Sequence, residues 1–201
     1  MLGALTAAAG QIEIVLDASG AMARPGIGGI PVVVSVREAL VAVAAEAASS
    51  EPVSRIGLRL AGGDPTAPSV ESCVATSLPV PISEVTVETW TNAVDGVRPA
   101  GFRPLNASVL AALADLELLP GDRRIVVVTA GTDECWISAR KIADALAAGE
   151  RPPEIRIVGL GLDQEVVDTF GAIPTRNAAS PRELLEALRW AVLDAETDQR
   201  P

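Results

Sequence analysis

The chain has 201 residues, 49% of them hydrophobic and only 2% aromatic, so it can fill one sizeable core but must build it from Val, Leu, Ile and Ala. A formal net charge of -10, with no basic stripe interleaved with aromatics, excludes nucleic acid as a partner and disfavours an acidic membrane surface. The absence of histidine excludes a Ser-His-Asp triad, a Cys-His dyad and any His-ligated zinc.

In chain order, Ile12 to Leu16 reads as a short buried strand, followed by Asp17 and a Gly- and Pro-rich loop to Pro31. A helix places Val32, Val36, Leu40, Val43 and Ala47 on one face. Arg55 to Leu60 is a second strand, and a loop of Gly, Asp, Pro and Ser spans Gly62 to Ser72. Val74 to Ile82 is extended, and Pro79 and Pro81 demote it to an edge strand. Ser83 is a good N-cap for a modest helix toward Val94. After the loop from Gly96 to Pro104, a helix carries Leu105, Val109, Leu113 and Leu116. Arg124 to Thr129 has the continuous apolar run of a central parallel strand. Glu134 to Ala148 is expected to be helical, Ile155 to Leu160 a strand, and Gln164 to Phe170 a short helix. A weak strand near Thr175 and a helix from Pro181 to Ala195 complete the pattern.

Strand and helix alternate, with one hairpin between the second and third strands. The expected fold class is α/β: a Rossmann-like three-layer sandwich with a mostly parallel central sheet of about six strands, one antiparallel edge strand, and helices on both faces. One domain is expected over 11–195, with a leader or linker at 1–10 and a polar tail at 196–201. No segment reads as a membrane span, because Val32 to Ala48 is interrupted by Arg37, Glu38 and Glu46. Leu2 to Ala9 is too short and lacks the basic start of a signal sequence.

In open α/β sheets, ligands bind at the carboxyl ends of the strands. The residues there are Asp17-Ala18-Ser19-Gly20-Ala21 after the first strand and Thr129-Ala130-Gly131-Thr132 after the fourth. Between them Gly101-Phe102-Arg103-Pro104-Leu105 opens a helix. Gly26-Ile27-Gly28-Gly29 reads as a flexible loop, since it neither follows a strand directly nor completes a dinucleotide fingerprint. Asp17 with Ser19 partly matches phosphatases of the haloacid dehalogenase type, which need a second aspartate where Ser19 stands. Cys73 and Cys135 read as inert buried thiols in a cytosolic setting, and as a disulfide in an exported one.

The three blocks together resemble a von Willebrand factor type A (VWA) domain over residues 11 to 195. That family has a D-x-S-x-S loop after its first strand, a G-x-T-P-L loop before a later helix, and a T-D-G turn after its fourth strand. The resemblance implies a protein-binding module in which five side chains hold a hard cation at a metal-ion-dependent adhesion site. Asp17 and Ser19 match two of those positions, and are the residual metal candidates. Ala21, Arg103 and Ala130 stand where a serine, a threonine and an aspartate are expected. Such a set is too poor in oxygen for Mg²⁺, so no metal or cofactor is expected.

The resemblance further places Arg103 opposite Asp17. Either its guanidinium pairs with Asp17 and replaces the ion, or Arg103 points to solvent and Asp17 caps local N–H groups. Similarity to a bacterial, exported VWA subgroup implies a Cys73–Cys135 disulfide and a cell-envelope or extracellular location, with any anchor outside this chain. Phe102 and Trp136 flank the vestigial site, as gap-fillers of a small-residue core or as contacts for a partner; Trp90 reads as core.

The functional expectation is a non-enzymatic, adhesion-type module that binds another protein or domain, with no direct membrane insertion. The alternatives are a purely structural domain of a larger envelope protein, metal-dependent binding through Asp17 and Ser19, and an unrecognised α/β enzyme. An apolar patch at the carboxyl end of the sheet favours binding over scaffolding.

Overall fold

The computed structural model describes residues 10–26, 29–50, 54–63 and 70–194. Residues 1–9 of the expected leader, the expected tail at 196–201, Ile27 and Gly28 of the glycine loop, and part of the loop between Gly62 and Ser72 lie outside the described residues.

Six strands form one sheet: β1 (Gln11–Asp17), β2 (Arg55–Ala61), β3 (Thr76–Glu84), β4 (Arg123–Thr129), β5 (Glu154–Leu160) and β6 (Thr175–Ala178). Their order is β3-β2-β1-β4-β5-β6, with every pair parallel except β2 and β3. The long apolar runs therefore lie in the middle, where both faces are covered. β3, with Pro79 and Pro81, is the antiparallel edge. Among the described residues the α-helices are α1 (Val32–Ala48), α2 (Val87–Asp95), α3 (Leu105–Leu116), α4 (Ala139–Ala148), α5 (Gln164–Asp168) and α6 (Pro181–Leu193). Ile12, Ile14 and Leu16 of β1 pack toward Val36, Leu40, Val43, Trp90, Leu184 and Leu188 from α1, α2 and α6. Val15, one step out of phase, packs with Leu105, Val109 and Leu116 of α3 on the opposite face. The period-two alternation of the central strand thus assigns one core to each side of the sheet.

Three expected boundaries are corrected. The strand expected over Val74 to Ile82 runs from Thr76 to Glu84, and Val70–Val74 forms a 3-10 turn. Ser83 does not cap a helix; it pairs with Ile56 in the hairpin, which satisfies its backbone in the ladder, and α2 begins at Val87. The helix expected from Glu134 begins only at Ala139, where the Ser138 hydroxyl accepts a hydrogen bond from the Arg140 amide at 3.2 Å. Residues 133–137 are held elsewhere. The Asp133 carboxylate accepts from the amides of Asn106 (2.8 Å) and Cys135 (2.7 Å), and the Asn106 side chain donates to the Ile137 carbonyl at 2.7 Å.

A buried ion pair interrupts the α3 side of the core. Glu13 on β1 is fully buried and accepts from Arg59 Nε at 2.6 Å, while Arg59 also reaches Asp115 on α3 and Thr76 on β3. Its second oxygen has no partner. Burial outweighs the neighbouring guanidinium and pushes the Glu13 carboxyl up from 4.5 to about 7. Between those values the folded chain holds a proton that the unfolded chain has lost. The contribution of Glu13 is therefore complete below pH 4.5 and disappears as pH rises through about 7. Denaturant unfolding from pH 4.5 to 8 is expected to show wild-type stability falling relative to Glu13→Gln, which stays neutral throughout. Parallel profiles for the two proteins would contradict the shift.

Candidate functional site

β1 and β4 are parallel neighbours, so their carboxyl ends open side by side. Asp17 closes β1, Thr129 closes β4, and the loop that enters α3 crosses above them. Gly20 N–H donates to the Gly101 carbonyl at 3.1 Å, which fixes this loop against the one after β1. Gly101 has φ +69°, a conformation that side chains resist, and the chain there turns to deliver Arg103 inward.

The Asp17 carboxylate is wholly buried, and its hydrogen bonds come from these three segments. Oδ1 accepts from the Ser19 amide at 2.9 Å. Oδ2 accepts from Arg103 Nε at 2.7 Å and from the Ala130 amide at 3.1 Å, with the Thr129 hydroxyl 3.3 Å away. A buried carboxylate needs this degree of satisfaction. Arg103 is itself 5% exposed. Its Nη1 donates to the Thr132 carbonyl at 2.7 Å and lies 3.4 Å from Glu134 Oε1. The Glu134 backbone N–H donates to the Arg103 carbonyl, and the Arg103 backbone N–H donates to Glu134 Oε2, each at 3.1 Å.

The turn after β4 thus encloses the guanidinium, and Gly131 makes that possible. A Cβ on Gly131 would stand 2.4 Å from Arg103 Nη1 and 2.9 Å from Cζ, so the backbone lies directly against the guanidinium group. Ser19 is also fully buried, and its hydroxyl has no hydrogen-bond partner. Ala21 and Ala130 meet across a cleft of about 440 Å³, lined also by Arg24, Leu160 and Gly161. Asp17, Ser19, Arg103 and Ala130 therefore converge, and Ala21 lines the same cleft as Ala130.

The neighbours differ from one another. Phe102 is half-buried, its carbonyl packed against Gly62, whereas Trp136 is 57% exposed. Trp90 is core, 1% exposed. Cys73 and Cys135 form a disulfide with Cα atoms 5.4 Å apart, tying the turn before β3 to the turn after β4. Sequence reasoning placed Gly131 and Thr132 at the end of the fourth strand without giving them a part in enclosing Arg103, and it missed Glu134 there altogether. Glu134 opens a stretch of helical character, and its role depends on a contact 31 residues away that no local period records. Val74, 56% exposed beside Cys73, was also missed.

No family model matches the chain, and no curated protein sequence matches it. Solved structures do. A von Willebrand factor type A protein from Catenulispora acidiphila superposes with a TM-score of 0.67 at 17% identity, over 90% of this chain and 42% of that one. The D319A mutant of the PilB minor pilin from Streptococcus sanguinis gives 0.64 at 10% identity, over 94% and 64%. The pilus adhesin SpaC from Lactobacillus rhamnosus GG, in its open conformation, gives 0.71 at 12% identity, over 94% and 30%. The chain spans less than two thirds of the length of each. Strand order, the single antiparallel edge and these superpositions agree: the chain has the fold of a von Willebrand factor type A domain.

Proposed function

We propose that this chain is a non-enzymatic, adhesion-type interaction module that binds another protein or domain through the carboxyl end of its sheet. In this reading the Arg103 guanidinium supplies the fixed positive charge that a metal ion supplies in the adhesion site of the resembled family. The single observation carrying it is the 2.7 Å contact from Arg103 Nε to Asp17 Oδ2, with both groups buried.

The donor chemistry does not fit a hard cation. Mg²⁺ asks for near-octahedral oxygen ligands. Here one Asp17 oxygen faces a guanidinium and two other donors, and the other accepts from the Ser19 amide. Ala21 and Ala130 carry no oxygen in their side chains. The exposed Trp136 beside this face favours a binding role over a purely structural one, because large aromatics in contact with water are characteristic of partner surfaces. Pilus proteins among the structural neighbours and the disulfide support an exported or cell-envelope setting.

Thermal unfolding in Mg²⁺, Ca²⁺ or Mn²⁺ against a chelator tests the metal-free reading. At about 10 mM ion, a site of roughly millimolar affinity would add about 1.4 kcal/mol. That corresponds to roughly 3 to 6 °C for a domain of this size. No shift is expected with any ion; a clear shift with one of them would restore metal-dependent binding through Asp17 and Ser19.

A further inference from the structure

Two helices on the α3 side of the sheet bury nothing. Neither α4 nor α5 contains a buried residue, whereas α1, α3 and α6 each bury several. Yet α4 is amphipathic. Ile142 and Leu146, one turn apart, line a groove beneath it, while Arg140, Lys141 and Asp144 are exposed. The groove has a volume of about 640 Å³ and runs between α4 and the connection from α5 to β6. Its floor is Val127, Ile155 and Ile157 of β4 and β5, and Phe170 and Ile173 form the wall opposite α4. Folded interiors leave few voids larger than a water molecule, and an apolar space of this size is that of a small-molecule site.

The shape of the groove selects its occupant. It extends from Pro152 and Pro153 at the amino end of β5 to Asp133 and Asn106 beyond the carboxyl end of β4, about 20 Å at ~3.3 Å per strand residue. The mean cross-section is therefore roughly 30 Å². A helix about 10 to 12 Å across needs about 80 to 110 Å², and an extended peptide, at ~4.8 by ~10 Å, about 48 Å². The groove is narrowest at its floor, where Val127 and Ile157 are 5% and 4% exposed. An unbranched carbon chain is thinner than either form of polypeptide. With bonds of ~1.5 Å it advances about 1.3 Å per carbon, so roughly sixteen carbons span the groove.

Charge agrees with an apolar occupant. The titratable residues lining the groove are Asp133 and Glu154, and both are engaged, Asp133 with the amides of Asn106 and Cys135, Glu154 with Arg124 and Arg156. No cation lines it. At the Pro152 end it meets a second cavity, whose lining carries both signs, Arg123 and Arg151 with Glu117 and Glu150. A head group emerging there is neither strongly held nor repelled. The chain carries a net charge of -10, so an anionic bilayer gains nothing by lying against this face.

We propose that the groove between α4 and the β4–β5 face binds the hydrocarbon chain of a free long-chain fatty acid, with the carboxylate left in water at the Pro152 end. Ile142 and Leu146 cover the chain from one side and Phe170 and Ile173 from the other. The site is separate from Asp17 and Arg103 and does not rest on the interaction-module reading.

The test is displacement of a fluorescent polyene fatty acid by saturated fatty acids below their micellar concentrations. Affinity is expected to rise about two- to four-fold per added carbon and to level off near roughly sixteen carbons, where the groove ends. Palmitate is expected to shift the methyl NMR signals of Ile142, Leu146, Ile155 and Ile157. Ala143→Trp, and Ala172→Trp from the facing wall, each introduce an indole into the groove from an exposed position. Both are expected to weaken palmitate about ten-fold or more, with melting temperatures within about 2 °C of wild type. Asp144→Leu, at a side chain 71% exposed and outside the groove lining, is expected to leave affinity unchanged. Affinity that keeps climbing well past the length of the groove, or palmitate binding indifferent to both tryptophan variants, would mean non-specific apolar partition and overturn the proposal. Methyl shifts produced by phosphatidylglycerol vesicles and not by monomeric palmitate would assign this face to a membrane and overturn it as well.

Discussion

Arg103→Ala is expected to lower the stability of the chain by about 3 to 5 kcal/mol, the usual consequence of removing one partner of a buried ion pair. Asp17 would remain fully buried, with its charge opposed only by two backbone amides and a hydroxyl. In thermal unfolding the expected fall is roughly 6 to 20 °C, at about 2 to 4 °C per kcal/mol for a domain this long. Arg103→Lys should recover only part of it. A single ammonium lacks the fork that reaches Asp17 through Nε and the Thr132 carbonyl through Nη1. The double variant Asp17→Asn/Arg103→Met removes both charges and should lie much closer to wild type than Arg103→Ala alone, because a buried pair contributes little net stability over neutral packing. An unchanged melting temperature for Arg103→Ala would mean that the arginine faces solvent and that Asp17 is satisfied by its amides.

Reduction of the Cys73–Cys135 bridge is the second large effect. The bond closes a loop with a sequence separation of 62 residues. Releasing it returns about 4 kcal/mol of chain entropy to the unfolded state, equivalent to roughly 8 to 16 °C. The loss should appear on adding reductant and, permanently, in a Cys73→Ser/Cys135→Ser variant; a melting temperature indifferent to reductant would count against the bridge. The effect reaches the site as well. Cys135 adjoins Glu134, which brackets the Arg103 backbone, so the reduced protein should also hold Arg103 less firmly against Asp17.

Much of the architecture was legible before any coordinates. The run from Arg124 to Thr129 reads as a central strand covered on both faces, and Pro79 with Pro81 demote theirs to an edge; β4 is central and β3 is the antiparallel margin. Boundaries failed where tertiary contacts overruled local preference. Ser83 has the chemistry of a cap, yet the ladder with Ile56 satisfies its backbone first. Residues 134–138 have helical character, yet Asp133, the Asn106 side chain and the disulfide hold this stretch as a turn.

The sequence by itself determined the order of elements, the absence of histidine chemistry, and which residues stand at the strand ends: Asp17 and Ser19 on one, Ala130 on the other, and Arg103 on the loop between. These follow from hydrophobic period and residue identity, both local properties of the chain. It left two futures for Arg103, solvent or Asp17, and two for Cys73 and Cys135. The tertiary structure decided between them. Parallel pairing of β1 with β4 brings the amide of Ala130 to the same carboxylate oxygen that Arg103 approaches. Gly131 leaves room for the guanidinium, and the Thr132 carbonyl and Glu134 close around it. A buried charge takes the partner that the packing places within reach, and that partner is 86 residues away along the chain, beyond anything a local pattern can record.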